Sequence, residues 1–387
     1  MHILIIPSEH FITESEPLGG IFQYHQAKAL NNAGFTIGVL SVGYISTRYV
    51  LRKYRYAKNQ KNNNINILRE YKQLFFPYRY LPSNFLKSGF IQMADRLVKT
   101  YITHFGKPDL IHAHNFLYAG VISEYIKEKY GIKYIITEHS STFARHKISI
   151  NSINAIQRIA KKASSVTAVS SNFNKLLENY TNSKIGILPN LVNEYFFEKD
   201  FLTKSTDCFT FLHVGSLDKN KNQELIIKSF KKIALLNDKV QLKIAGNGSM
   251  VKYLESLVSD LNLQKQVDFL YQISPERVRH EMMNADCFIL SSNFETFGVV
   301  LIEALACGLP LISTKCGGPE DIINSKNGVL VEIGNQSELE DAMAFVYSNQ
   351  SKFLKVDLRN EAKERFGEGA FINNVTKYYE QGIKNTK

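Results

Sequence analysis

Residues 294–314 read FETFGVVLIEALACGLPLIST, and two carboxylates, Glu295 and Glu303, stand eight positions apart in this nearly apolar stretch. A carboxylate in such surroundings is costly unless something pairs with it. The preceding ADCFILSS reads as a strand, NFETF as a turn and GVVLIEALACG as a helix ended by Gly308. On one continuous helix the two carboxylates would lie about 12 Å apart. With Glu295 in the turn, it can fold back over the helix start. The free N–H groups near Phe297, Gly298 and Val299 would then lie between them, where a helix start attracts anions. A phosphate there, with hydroxyls reaching each carboxylate, would satisfy all three groups. A nucleotide-sugar has that layout of sugar, diphosphate and ribose. The alternative for Glu303 is a structural carboxylate on a buried helix, which the cost of an unpaired buried charge disfavours.

Two further turns invite an anion. FLHVGSLDKNKNQELIIKSF leaves a strand at Gly215 and enters a helix after Lys221, so Lys219 and Lys221 sit at the approach to a helix N-terminus. Phosphate binding and a plain solvated basic turn explain that pair equally well. KIAGNGSM is a strand ending in Gly246-Asn247-Gly248. Glycines there let backbone come close to a flat ring or a phosphate, although many turns share the pattern.

These turns must be held by a scaffold, and its strands are legible. HILII, FTIGVLSV, DLIHAH, KYIITEH, SSVTAVS and KIGILPN fall in the first half. CFTFLHVGS, VQLKIAG, QVDFLYQ, ADCFILSS, PLIST and GVLVEI fall in the second. They are near-continuous apolar runs, as parallel strands buried on both faces are. Amphipathic stretches such as GIFQYHQAKALNNAG and KNQELIIKSFKKIALLN separate them. The alternation, repeated twice over 387 residues, predicts an α/β protein of two doubly wound domains. Both periodicities break at 190–208, which marks the boundary, and FINNVTKYYEQGI reads as a terminal amphipathic helix. KNQKNNNINI at 58–67 reads as a loop.

The net charge of +11 calls for an anionic partner. The four cysteines, Cys208, Cys287, Cys307 and Cys316, have neither C-x-x-C spacing nor a His-rich companion, which argues against zinc, and three of them sit in apolar runs that read as buried reduced thiols. No D-x-D motif suggests a metal. The N-terminal apolar run is too short for a signal peptide, and no eighteen-residue apolar stretch exists to span a membrane. A cytoplasmic protein is expected. No G-x-G-x-x-G follows the first strand, which argues against a dehydrogenase.

Taken together, E-x7-E in ETFGVVLIE and the following ALACGLPLISTKCGGPEDII resemble the family-4 retaining glycosyltransferases of GT-B fold. PLGGIFQYHQAKAL resembles that family's first loop and helix, TEHSS its central histidine turn, LPNLVNEYF its interdomain segment and VGSLDKNKNQELI its phosphate-binding turn. The resemblance covers nearly the whole chain. It implies two Rossmann-like domains facing each other across a cleft. Residues 1–195 would form the acceptor-side domain and 205–370 the nucleotide-sugar domain, with a helix at about 371–387 packing back on the first.

It also implies roles. Glu303 would hold the donor ribose, and Glu295 would lie at the hydroxyls of the donor sugar. Phe297, Gly298 and Val299 would offer amides, with Gly215, Ser216 and Gly246 lining the donor site. Lys221 would neutralise the departing diphosphate. His139 would face the sugar from the other domain, although without the resemblance it reads more readily as a satisfied turn histidine capping the following segment. Gly19 and Gly20 would let the first loop approach the phosphates. The family's turn usually reads Gly-Arg-Leu, whereas this chain reads Gly215-Ser216-Leu217, so one cation is missing. The implied reaction is metal-independent transfer of a hexosyl or N-acetylhexosaminyl group with retention, from a UDP- or GDP-linked donor and without a cofactor, in surface polysaccharide synthesis. A sugar epimerase and a non-catalytic nucleotide-sugar-binding module are the competing readings.

Residues 48–87 hold ten Lys/Arg against the single acid Glu70, interleaved with aromatics such as Tyr54, Tyr56, Phe75 and Tyr78. Such a surface suits an anionic membrane and a polyprenyl-linked acceptor. Stacking on RNA would use the same residue types, but no RNA-binding motif is present and no nucleic acid is expected. A solvated loop is the plain alternative. The expected place is the inner face of the plasma membrane.

Overall fold

The computed structural model of the chain describes residues 1–8, 20–46, 61–62, 65–74, 83–144, 148–198 and 207–384. They form two compact units. The first comprises Met1–Val169, Asn174–Pro189 and Phe371–Lys387, and the second Ser170–Phe173 and Asn190–Ala370.

The strands of the first unit are β1 (His2–Ile6), β2 (Thr36–Ser46), β3 (Lys61–Asn62), β4 (Ile65–Leu74), β5 (Leu110–His114), β6 (Tyr134–Glu138), β7 (Ser165–Ala168) and β8 (Gly186–Ile187). Their order in the sheet is β3-β4-β2-β1-β5-β6-β7-β8. All pairings are parallel except β3 with β4. Every residue of β5 and β6 is buried, which is why their sequences run apolar without alternation.

β4 corrects one expectation. It begins at Ile65, inside the stretch 58–67 that reads as a loop, and pairs with β2 from Gly38↔Asn66 to Ser46↔Leu74. Ile65, Ile67 and Leu68 are buried. Basic and asparagine residues around them mask the strand, while a long β2 supplies a backbone template for it. The helix Ser83–Phe105 follows, so the described residues of the basic segment 48–87 are strand and helix rather than loop.

The second unit contains β9 (Phe209–Val214), β10 (Val240–Ala245), β11 (Val267–Tyr271), β12 (Cys287–Leu290), β13 (Leu311–Thr314) and β14 (Gly328–Val331). The order is β11-β10-β9-β12-β13-β14, all parallel. Strand order therefore reverses between β9 and β12. In an open parallel sheet the crevice beyond the carboxyl ends at such a reversal is where ligands bind. The first sheet reverses in the same way between β1 and β5.

The last helix, Glu368–Lys384, starts three residues before FINNVTKYYEQGI. It buries Phe371, Val375, Tyr379 and Gly382. Gly382 lets the helix pack closely there, because a Cβ would lie 3.2–3.3 Å from Ile135 and Leu110. Among the described residues no helix is long and apolar enough to cross a membrane.

Candidate active site

At the reversal of the second sheet, two turns leave the carboxyl ends of β9 and β12 and are stitched together. Asn293 N–H donates to the Asn220 carbonyl at 2.7 Å. Asn220 Nδ2 donates to the Phe294 carbonyl at 3.0 Å, and Asn293 Nδ2 to that of Lys219 at 3.0 Å. Ser291 Oγ reaches the Lys221 and Asn222 carbonyls, each at 2.8 Å. These bonds set the spacing between Lys221 and Glu295. Lys221 Nζ lies 2.5 Å from Glu295 Oε1, and Ser292 Oγ donates to the same oxygen at 2.6 Å. The lysine and glutamate side chains are only 20% and 13% exposed, so water screens their charges less than at an open surface.

Ser216 occupies the position of the missing cation, and its Oγ donates to Asp218 Oδ2 at 2.7 Å. Asp218 Oδ1 in turn accepts the N–H of Asn220 at 2.9 Å and of Lys221 at 3.2 Å. Against the penalty of burial, the Ser216 bond and these amides hold the Asp218 carboxyl below its ordinary range. Lys219 is exposed. Beneath the turn, His213 Nδ1–H donates to the Ile289 carbonyl at 2.9 Å, and its Nε2 accepts from Gln223 Nε2 at 3.0 Å. Burial pushes this imidazole down to about 4, so it is neutral.

Gly246 and Gly248 have a packing reason to be glycine. A Cβ on Gly246 (φ 143°) would lie 1.8 Å from the Gly215 carbonyl oxygen, and one on Gly248 would lie 2.2 Å from that of Leu217. Gly215 itself passes Lys221 Cε, 3.8 Å from where its Cβ would be. The two turns interlock through Gly215 N–H to Ala245 and Leu217 N–H to Asn247, both 3.0 Å.

The helix after β12 runs Val299–Ala306 from Gly298, which is left-handed at φ 92°. Phe297 is a core side chain, 1% exposed, so only its backbone is available to a ligand. Among the described residues the N–H groups of Phe297, Gly298, Val299 and Val300 have no hydrogen-bond acceptor. Glu303 lies one turn further along this helix, and its carboxylate has no hydrogen-bond donor among the described residues. Dense packing around the carboxyl outweighs its partial exposure and pushes it up to about 8. Glu295 does not fold over the helix start toward Glu303. Its backbone is held by Cys316 and Gly318, both at 2.9 Å, and its carboxylate is on Lys221.

In the first unit, the carboxyl ends of β5 and β6 carry a second polar cluster. Glu138 is fully buried and accepts three N–H groups: Phe116 at 2.8 Å, Ser140 at 2.8 Å and His139 at 3.1 Å. Burial still raises its carboxyl to about 7. His139 Nε2 meets His114 Nδ1 at 3.0 Å, and His114 stacks on His112 with centroids 4.4 Å apart. His112 Nδ1 meets Tyr379 Oη, and its Nε2 meets Thr137 Oγ1, both at 2.8 Å. Burial holds His112 down to about 3 and His114 well below its ordinary value. Among the described residues the buried Nε2 of His114 has no hydrogen-bond partner. Just beyond, Asn115 (φ 72°) and Tyr118 (φ 66°) adopt backbone conformations that cost side chains energy, as functional sites often do. Gly20 is left-handed (φ 61°) and opens the helix Ile21–Asn32. Gly19 lies outside the described residues.

The structure thus joins Lys221 to Glu295 directly and sets Phe297, Gly298, Val299 and Glu303 on one helix start. Sequence reasoning missed Ser291, Ser292, Asn220 and Asn293 around the first pair, and His112, His114 and Glu138 around His139. One signal was available: H-A-H in an apolar strand puts both imidazoles on one face. Among the described residues no cluster of His, Cys, Asp and Glu could hold a metal.

Comparison with known proteins follows the same two halves. The family model Glycosyltransferase Family 4 matches residues 20–195, and Glycosyl transferases group 1 matches 195–368. An uncharacterised glycosyltransferase of Methanocaldococcus jannaschii is 29% identical over 278 residues, 70% of this chain and 75% of that protein. Sucrose-phosphate synthase from Thermosynechococcus elongatus superposes with a TM-score of 0.75 at 19% identity, covering 98% of each chain. HepE of Anabaena, solved in complex with UDP and glucose, gives 0.71 at 17% identity, covering 98% of this chain and 99% of its own. The fold is GT-B.

Proposed function

The chain belongs to the family 4, group 1 glycosyltransferases, and on that premise we propose that it is a retaining enzyme moving a sugar from a UDP- or GDP-linked donor to a glycan or polyprenyl-linked acceptor. The observation that carries this reading is the set of groups at the β9/β12 reversal. A paired but reachable lysine stands on the two stitched turns, and the helix that follows brings four start amides and the Glu303 carboxylate, all without partners among the described residues. Phosphates suit the lysine and amides, and ribose hydroxyls suit Glu303. The Anabaena neighbour solved with UDP and glucose supports a donor of this chemistry.

Lys221 and the amides stabilise charge on the departing diphosphate as the sugar's anomeric bond breaks, which is where preorganised charge contributes most. Glu295 pairs with Lys221 in the ligand-free protein and serves as no covalent nucleophile. The family resemblance assigns His139 a role toward the sugar. The reaction needs no metal. The transferred group is a hexosyl or N-acetylhexosaminyl unit, and the product feeds a bacterial surface polysaccharide. The basic aromatic segment 48–87 brings the enzyme to the cytoplasmic face of an anionic membrane. Its Arg52, Lys53 and Arg55 lie outside the described residues.

A thermal-shift screen of nucleotide-sugars tests the reading, because a ligand that binds only the folded state raises its apparent stability. Turnover of the stabilising donor with membranes, and the anomeric configuration of the product, then test transfer and retention. No stabilisation by any nucleotide-sugar would refute it.

A further inference from the structure

Lys221 and Glu295 have been assigned to different parts of the donor, yet without donor they satisfy each other. Lys221 Nζ is 2.5 Å from Glu295 Oε1, and Ser292 Oγ supports the same oxygen. The stitched turns fix the backbones that carry the pair: Lys221 is held at its N–H and carbonyl by Asp218 and Ser291, and Glu295 at its carbonyl and N–H by Gly318 and Cys316. A diphosphate can take the lysine only by drawing it from the carboxylate. What then becomes of Glu295 depends on the ligand.

We infer that this ion pair is a release latch that favours the intact nucleotide-sugar over the nucleoside diphosphate product, an inference that rests on the donor site proposed above. The donor satisfies both partners when it binds: its phosphates take Lys221, and its sugar hydroxyls donate to Glu295. After transfer the sugar has gone. The diphosphate still competes for Lys221, but Glu295 is left with Ser292 alone at a position 13% exposed. Leaving a partly buried carboxylate without its cation is costly. Re-forming the Lys221–Glu295 pair removes that cost and expels the product. The single cation of this turn makes the competition sharper, because Ser216 stands where a second positive charge would otherwise hold the phosphates.

The latch predicts a gain of binding from the loss of a charged site residue. In Glu295→Gln, Lys221 has no competing carboxylate, and UDP or GDP should bind about tenfold tighter than to the wild type. In a Lys221→Met background the same substitution should change diphosphate affinity little, since a double-mutant cycle isolates the coupling of the two side chains. Calorimetric titration of the full-length protein with UDP, GDP, ADP and dTDP reads both effects, with thermal unfolding to confirm that each variant is folded. Glu295→Asp, one methylene too short to keep the contact, is the second variant should Glu295→Gln not fold, and it too should bind the diphosphate more tightly. The latch is overturned if the diphosphate binds the wild type but binds neither variant more tightly. It is also overturned if the gain persists without Lys221. Binding of no diphosphate to wild type, Glu295→Gln or Glu295→Asp would instead overturn the donor site itself, and the latch with it.

Discussion

Donor binding should release a proton from Glu303. Burial pushes this carboxyl up to about 8, and no hydrogen-bond donor among the described residues relieves it. At pH 7 a group with that value is roughly 0.9 protonated. Ribose hydroxyls donating to it favour the carboxylate, so the bound form should titrate far lower. If the bound value returns to the ordinary carboxylate range, binding at pH 7 releases close to one proton, roughly 0.9. The sign follows from linkage. The free folded protein binds the proton more tightly than either the complex or the unfolded chain. Donor affinity therefore rises with pH, by about tenfold per unit from the bound value up to about 8, and is level above it. The stability of the ligand-free protein moves the other way: this group's contribution falls as pH rises from the ordinary carboxylate range through about 8.

The assay is calorimetric titration of an intact nucleotide-sugar at pH 7 in several buffers of different ionisation enthalpy. The slope of observed heat against buffer enthalpy counts the protons. An intact donor is the right ligand, because its two esterified phosphates lack the second ionisation that a terminal phosphate has near neutrality. Glu303→Gln keeps the shape and removes the titration, so its slope should fall toward zero while it binds the donor more weakly than wild type does at pH 8. The reasoning is refuted if wild-type binding shows no proton release, or if Glu303→Gln releases as much. The second outcome would point to Glu138, which burial holds at about 7.

Lys221→Ala should lower turnover by on the order of a hundredfold, since charge on a leaving group is worth roughly 3 kcal/mol in the transition state. Lys219→Ala, which removes an exposed side chain, should cost little, and equal small losses would reduce the turn to a solvated loop. Gly246→Ala should destabilise the second unit by well over about 1 kcal/mol, because the new Cβ would collide with the Gly215 carbonyl at a backbone angle side chains avoid. Urea unfolding of the variant checks this, and wild-type stability would exclude the interlocked turns as a constraint. Wild-type protein should float with anionic liposomes at low salt and lose part of that binding at high salt. Changing Arg52, Lys53 and Arg55 together to Glu should abolish flotation; equal flotation would leave the transferase reading intact but move the acceptor away from the membrane.

The strands were legible because parallel strands buried on both faces leave uninterrupted apolar runs, whereas their order in each sheet rests on pairings that no local signal discloses. β4 escaped because three buried aliphatics, Ile65, Ile67 and Leu68, are embedded among polar residues; its strand is specified by pairing with β2, a long-range contact that no local window contains. The Glu295–Glu303 spacing pointed to the turn and helix start that the structure places at Gly298 and Val299. It did not show that Glu295 turns toward Lys221, because that depends on Asn220, Asn293 and Ser291 joining two turns about seventy residues apart. Gly246 drew attention as a glycine a ligand could approach, and the structure supplies a nearer reason in the Gly215 carbonyl. Spacing locates charged groups, but only tertiary hydrogen bonds decide which of them meet.

The histidines at the end of β5 carry that point further, since their protonation can be worked out from bond direction alone. Thr167 Oγ1 donates to the Ile136 carbonyl at 3.2 Å, so it must accept from Thr137 Oγ1, 2.8 Å away. The Thr137 hydroxyl, its proton so used, accepts from His112 Nε2–H. His112 is neutral, so its Nδ1 is an acceptor, and Tyr379 Oη–H must donate to it. The proton donors thus run one way, from the C-terminal helix through His112 into the sheet. This chain needs Tyr379, contributed by a segment that returns to the first unit only after the whole of the second has been made. The tautomer and ring plane of His112 then set the surface on which His114 stacks, and His114 in turn meets His139. A strand near residue 112 and a helix near residue 379 therefore prepare one imidazole together, which explains why neither stretch of sequence discloses the arrangement by itself.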